Sequence, residues 1–313
     1  PVCVVGTSMG AVIGGLYAAG LTGEQLQEVV ETADWTGVFA PSADRDKLTY
    51  RQKQQQAEFP GTGALGVSPA GILLPAGAVS DQALMKELRR FSPSRASLES
   101  FDDLEIPFRA VATDIATGEA YIMQSGELPM AMRASMSVPG VFPAAQLDGR
   151  LLVDGGLSAN VPVSVARDLG ADVVIAVWTP TELMTTADIN SAVDVLAQTV
   201  SLLILTNERA SIQSLEEGRD VVAKVKTAGF NPAAFNRSSD LIAAGRAAIA
   251  EHAPRLADMA AARPAITYAG RPETEPPVIR FLTIDNQSRL DQSLIEAKLL
   301  DLVGQHAETA RIN

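Results

Sequence analysis

At 313 residues and 47% hydrophobic content, the chain has enough apolar mass for one large or two modest domains with a full core, which excludes a disordered protein. A formal net charge of -12 repels phosphate, and so argues against nucleic acid as a partner and against electrostatic docking on anionic lipid. The single cysteine, Cys3, cannot form an internal disulfide and leaves the compartment open.

The opening run Pro1-Val2-Cys3-Val4-Val5 is apolar and β-branched, the pattern of a strand buried on both faces, and Gly6 ends it. A helix of small residues follows over 11–19, where Gly14 and Gly15 allow close approach to a sheet and Gly20 supplies the C-terminal cap. Residues 41–63 are polar and end in Phe59-Pro60-Gly61-Thr62-Gly63, the chemistry of a surface loop or lid. A helix over 81–91, capped by Ser80, shows apolar spacing at Leu84, Met85 and Leu88. Strands over 108–114 and 119–124 flank Ala116-Thr117-Gly118.

Asp148-Gly149 marks a hairpin whose second strand, 150–153, runs into Asp154-Gly155-Gly156. A helix capped by Asn160, with Pro162 in its first turn and Gly170 at its end, leads to a strand over 173–177, which predicts a βαβ unit and a parallel sheet. Residues 191–262 read as largely helical, interrupted by a strand over 221–225 and a loop at Phe230-Asn231-Pro232. The longest apolar stretch, 193–205, is broken by Gln198 and Ser201 and is too short to span a membrane as a helix. Residues 266–277 have the Pro-, Gly- and charge-rich composition of a linker between a main domain, 1–265, and a short segment, 278–313.

Gly6-Thr7-Ser8-Met9-Gly10 fits Gly-x-Ser-x-Gly between a strand and a helix, the context that makes the string a nucleophile elbow. The glycines are expected to relieve crowding around a strained serine, and the helix start points its N–H groups, Met9 first, at a developing oxyanion. A serine hydroxyl needs a base. Of the two histidines, His252 completes the chain order of a Ser8, Asp154, His252 triad but sits in an Ala- and charge-rich helix, and His306 is in the terminal segment. Asp154 closes a strand, and Gly155 and Gly156 let the backbone turn there, so its carboxylate is the stronger candidate. An Asp-Gly-Gly turn that merely caps a loop is the plainer alternative. A dinucleotide-binding turn is set aside, because Ser8 and Ala11 stand where Gly-x-Gly-x-x-Gly requires glycine.

Together with Val111-Ala112-Thr113-Asp114, Thr117-Gly118-Glu119, the segment from Arg133-Ala134-Ser135 to Val138-Pro139-Gly140, and Val161-Pro162-Val163, these motifs resemble the bacterial patatin-like phospholipases over about residues 1–262. The resemblance implies a three-layer α/β/α fold on a mainly parallel central sheet. It also implies a Ser8–Asp154 dyad that cleaves lipid esters through an acyl-enzyme, a serine carboxylic-ester hydrolase of phospholipase A1/A2 type with no cofactor or metal. Implied partners are a phospholipid or other acyl ester, a membrane surface met transiently, and a second copy of the chain.

Members of that family carry a glycine-rich loop upstream of the nucleophile that forms the oxyanion hole, and the sequence begins downstream of it. The expectation is an impaired oxyanion hole and a strained or exposed sheet edge near Val2 to Val5. Residues 277–286 and the helix after them resemble the start of a POTRA domain, which implies a patatin–POTRA–β-barrel protein exported to the outer membrane or secreted, with a cytoplasmic enzyme as the alternative. A lipid-binding scaffold without turnover is the contrasting reading. For the acyl chain, Ile72, Leu73, Leu74, Met130, Met132, Met136, Val141 and Phe142 are the expected lining.

Overall fold

The computed structural model describes residues 1–38, 66–68, 71–73, 81–92, 97–227 and 237–262, with isolated positions at 278, 280, 293, 299 and 303–305. The order begins with β1 (Val4–Thr7), α1 (Met9–Ala18), α2 (Gly23–Thr32) and α3 (Trp35–Val38). Next come β2 (Gly66–Ser68), β3 (Gly71–Leu73), α4 (Asp81–Phe91), β4 (Ser97–Leu98), β5 (Phe108–Asp114), β6 (Ala120–Met123) and β7 (Gly126–Glu127). After α5 (Leu128–Ser135), β8 (Ala145–Leu147), β9 (Arg150–Asp154), α6 (Gly156–Ala159) and α7 (Val163–Asp168) comes β10 (Ile175–Trp178). The last described elements are α8 (Ala192–Gln213), β11 (Val221–Lys224), α9 (Ser238–Ala250) and α10 (Ala253–Ala261).

The main sheet centres on β5, which is buried along its whole length. Its order is β1-β5-β9-β8, with β6 also paired to β5. β1 and β5 are parallel, whereas β5–β6, β5–β9 and β8–β9 are antiparallel. The expected mainly parallel sheet is therefore corrected to a mixed one. The cause is the two hairpins: Gly118 at φ 76° turns β5 into β6, and Asp148 and Gly149, both at positive φ, turn β8 into β9. Tight turns force antiparallel neighbours.

The βαβ unit is also displaced by one element. β9 already has β5 and β8 on its two edges, so β10 pairs instead with β11, in parallel, across α8. Asn160 ends α6 and does not cap the next helix, whose N-cap is Pro162. Among the described residues β1 pairs with β5 alone, and Val2 is 43% exposed, in line with an open edge. The expected backbone strain at residues 2–5 is not there: the non-glycine residues at positive φ are Ser8 and Asp148.

Packing explains the small residues of α1. A Cβ on Gly15 would lie 3.0 Å from the Met132 sulfur, and one on Gly14 would lie 3.0 Å from Val4 Cγ1. The helix consequently approaches Phe108 and Met132 closely and adds Val12 and Leu16 to the main core. Gly20, at φ 107°, closes α1, with Gly20 N–H donating to Tyr17 O and Leu21 N–H to Leu16 O, the paired bonds of a Schellman end. α4 runs over the expected residues and buries Leu84 and Leu88. A smaller cluster, Val163, Ala171, Val174 and Ala176, packs β10 onto α7. The expected lid at 41–63, Ser80, the loop at 230–232 and the linker at 266–277 lie outside the described residues, as does the POTRA-like segment 278–313 apart from its isolated positions.

Candidate functional site

Strand register brings the site together. β1 runs parallel to β5 and stops with Thr7 opposite Val111, while β9 runs antiparallel to β5 and stops with Asp154 opposite Ala112. Two chain ends thus converge from opposite directions on adjacent residues of the central strand. Ser8 follows β1 at φ 55° and ψ -126°, a conformation strained for any residue with a Cβ. Gly6 makes that turn possible, because a Cβ there would overlap the Gly10 carbonyl and sit 2.7 Å from Ala11 Cα. Gly10 is a different case: a Cβ on it would meet nothing within 4 Å. Crowding thus explains the first glycine of the motif and not the second, which faces open space beside the nucleophile.

The Ser8 hydroxyl donates to Asp154 Oδ2 at 2.6 Å, and the Gly156 N–H donates to Asp154 Oδ1 at 2.8 Å. Both carboxylate oxygens are engaged, and the short O–H···O distance is that of a charge-assisted bond. Asp154 is 4% exposed. Burial pushes its carboxyl up to about 6, against the opposing pull of the hydrogen bonds from Ser8 and the Gly156 N–H. An aspartate with that affinity is a better proton acceptor than an ordinary one and is still ionised at neutral pH. The turn behind it is compact: a Cβ on Gly155 would overlap the Val111 carbonyl and lie 3.0 Å from Thr7 Cγ2.

Buried polar side chains to which the motifs assign no role hold this arrangement. Ser135, fully buried, accepts from the Ser8 N–H at 2.8 Å and donates to Val111 O at 2.5 Å, so one hydroxyl ties the strained turn to β5. The same segment carries the backbone of the aspartate, with Asp154 N–H donating to Ser137 O and Gly155 N–H to Ser135 O. Arg133 braces it from behind by donating to Ser137 Oγ, Pro143 O and Asp81 Oδ2. Thr113 Oγ1 donates to Asp154 O at 2.9 Å, and Thr7 Oγ1 donates to Ala159 O at 2.7 Å. On the far side of the turn, the buried carboxylate of Glu208 on α8 accepts from Asn160, Trp178 and Thr181. Thr113, Arg133 and Ser135 lie in segments that carry the family resemblance, and a second signal is polar side chains within an otherwise apolar run, as in Arg133-Ala134-Ser135-Met136-Ser137.

Other expectations fare differently. His252 stands at the break between α9 and α10. Among the described residues no histidine hydrogen-bonds to Ser8 or Asp154, whose side chains bond to each other and, for Asp154, to the Gly156 N–H. Met9 is the first residue of α1, where first-turn N–H groups have no intrahelical acceptor and the helix dipole favours negative charge. Met132 on α5, Met136 at its C-cap and Phe142 beyond it, expected along an acyl channel, are buried residues of the main core. The side chains of Ile72, Leu73 and Leu74 lie outside the described residues. No group of His, Cys, Asp and Glu suited to a metal ion occurs among the described residues, and no described helix is long and apolar enough to cross a membrane.

Comparison with known proteins places the chain in a family. An uncharacterized NTE family protein of Mycobacterium tuberculosis is 33% identical over 174 residues, which cover 56% of this chain and 39% of that protein. A patatin-like phospholipase domain-containing protein of Caenorhabditis elegans is 35% identical over 183 residues, 56% of this chain and 11% of the relative. Patatin-like phospholipase domain-containing protein 7 of Mus musculus is 44% identical over 78 residues, 24% of this chain and 6% of the relative. The chain thus corresponds to well under two thirds of each relative's length. The family described as patatin-like phospholipase matches residues 1–167, more than half of the chain, and the protein accordingly belongs to that family.

Proposed function

We propose that this chain hydrolyses acyl esters of lipids, phospholipids among them, through a Ser8–Asp154 dyad. The observation that carries the reading is the direct 2.6 Å hydrogen bond from Ser8 Oγ to Asp154 Oδ2 on a strained strand-to-helix turn. As Ser8 Oγ forms its bond to the acyl carbon, its proton passes to Asp154. The oxyanion develops toward the N-terminus of α1, where the Met9 N–H stands first. Collapse expels the alcohol, which takes the proton from Asp154 and leaves an acyl-serine. Water then attacks the acyl carbon with its proton going to Asp154, and the fatty acid leaves as that proton returns to Ser8.

The decisive experiment compares ester hydrolysis and fluorophosphonate labelling in the wild type, Ser8→Ala, Asp154→Asn and His252→Ala. The dyad requires loss of labelling in the first variant, a fall in turnover of about 10²- to 10⁴-fold in the second, and little change in the third. Activity that survives Asp154→Asn but vanishes in His252→Ala would overturn it. Analysis of the products from a phospholipid with two distinguishable acyl chains assigns the A1 or A2 class. In the same reading, residues 278–313 open a POTRA-like domain that links the enzyme to surface export. Fractionation of cells making the natural protein tests this, and a wholly cytoplasmic enzyme would overturn it.

A further inference from the structure

A cavity of about 460 Å³ lies beside the nucleophile turn, between α1, α2, α3 and α9. Its volume is in the range of small-molecule sites. It begins at Met9, the residue after Ser8, and continues past Ile13, one helical turn along α1. Leu26 of α2 and Trp35 of α3 form one wall, and Leu241 and Ile242 of α9 close the other. Glu24, Gln27, Ser238 and Arg246 also line it, and Arg246 of α9 donates to Gln27 Oε1 of α2 at 2.9 Å, tying together the two helices that form the opposing walls. The Trp35 indole N–H is engaged by Val30 O and presents no free donor to the interior.

We infer that this cavity receives the acyl chain of the substrate, and that Leu241 and Ile242 of α9 set the length of chain accepted. The inference rests on the proposed acyl-ester chemistry at Ser8. Three features select an acyl chain as the occupant. Most of the lining is apolar, supplied by Met9, Ile13, Leu26, Trp35, Leu241 and Ile242, and Gln27 and Arg246 among its polar members are bonded to each other. The cavity starts at Met9, the residue that follows the nucleophile, which places its near end beside the start of the helix after Ser8. Its closing wall comes from α9, which lies outside residues 1–167, the family-matched part, so the depth of the cavity is a property of this chain.

Two independent measurements test this on the full chain. In the first, kcat/KM is measured for p-nitrophenyl esters of rising acyl length, in the wild type and in Leu241→Phe and Ile242→Phe. Each buried methylene contributes about fourfold in an equilibrium, from about 0.8 kcal/mol per CH₂. A phenyl ring that displaces about two methylenes should therefore lower the ratio of dodecanoyl to butanoyl kcat/KM roughly 15-fold.

In the second measurement, dibrominated stearate is titrated into the wild type, Ser8→Ala and Trp35→Phe while tryptophan fluorescence is recorded. Quenching should be equal in the wild type and Ser8→Ala and largely lost in Trp35→Phe, because Trp35 lines the cavity. Length profiles of the Phe variants that superimpose on the wild type, or quenching indifferent to Trp35, would overturn the inference. If the Phe variants do not fold, as judged by circular dichroism, the quenching arm decides alone. Failure of the proposed chemistry shows separately, as absent fluorophosphonate labelling of Ser8, and leaves the quenching result standing.

Discussion

Asp154→Asn should make the folded protein more stable at alkaline pH while removing its activity. The buried carboxyl titrates near 6 in the folded chain, against 3.8 for an ordinary aspartate. Between those values the folded state keeps a proton that the unfolded chain has released, so stability is fully present below about 3.8 and is lost as the pH rises through 6. Two pH units at about 1.4 kcal/mol each place the loss at about 3 kcal/mol by pH 8. Asparagine carries no charge to bury. Its Oδ1 can still accept from the Gly156 N–H, and its amide can donate to Ser8 Oγ, so the two native hydrogen-bond sites remain satisfiable.

The assay is urea unfolding of the wild type and Asp154→Asn at pH 4 and pH 8, followed by circular dichroism. Taking the difference between variant and wild type at each pH cancels the titration of every other group. The variant should gain about 2–3 kcal/mol on the wild type between the two pH values. A difference that is flat across pH, or one that moves against the variant at pH 8, would refute the claim that burial dominates this carboxyl.

The same titration predicts that wild-type kcat/KM falls below about pH 6 as Asp154 is protonated, and a pH–rate profile in ester hydrolysis checks the midpoint. Gly6→Ala drives a Cβ into the Gly10 carbonyl and Ala11 Cα, rigid backbone atoms, and should destabilise by about 1–3 kcal/mol in denaturant unfolding. Gly10→Ala meets no atom and should stabilise α1 by roughly 0.5–1 kcal/mol in the same measurement. Ser135→Ala leaves the Ser8 N–H and Val111 O without their shared partner. It should lower stability by about 1–3 kcal/mol and kcat by roughly 10- to 100-fold, since a small displacement of a nucleophile weighs heavily on rate; a change in KM alone would contradict the positioning role.

Local chemistry made much of the fold legible. α4 appears at its expected residues because its apolar spacing faces one core, and the hairpins at 118 and 148–149 appear because Gly118, Asp148 and Gly149 accept the positive φ those turns need. The same logic located Ser8 and Asp154, since a glycine-flanked serine between strand and helix, and an aspartate before two glycines, are visible in one dimension. What one dimension does not contain is pairing. β10 could not join β9 because β8 and β5 occupy both edges of β9, and only the assembled sheet shows that.

Met132 of α5 and Met136 at its C-cap illustrate the same division. Met132 and Met136 are as apolar as any channel lining, and the orientation of α5 against α1 makes them core. The role of Ser135 is not legible in the segment Arg133-Ala134-Ser135, because it joins residues 8, 111 and 135, three distant points brought to one hydroxyl. The sequence by itself determined which residues can adopt the strained turn and which carry an exchangeable proton, for those follow from backbone sterics and side-chain chemistry. The 2.6 Å contact between Ser8 and Asp154, and the burial that raises the carboxyl, were decided by tertiary structure. Distance and desolvation depend on the register of β1 and β9 across β5, a property of no single segment.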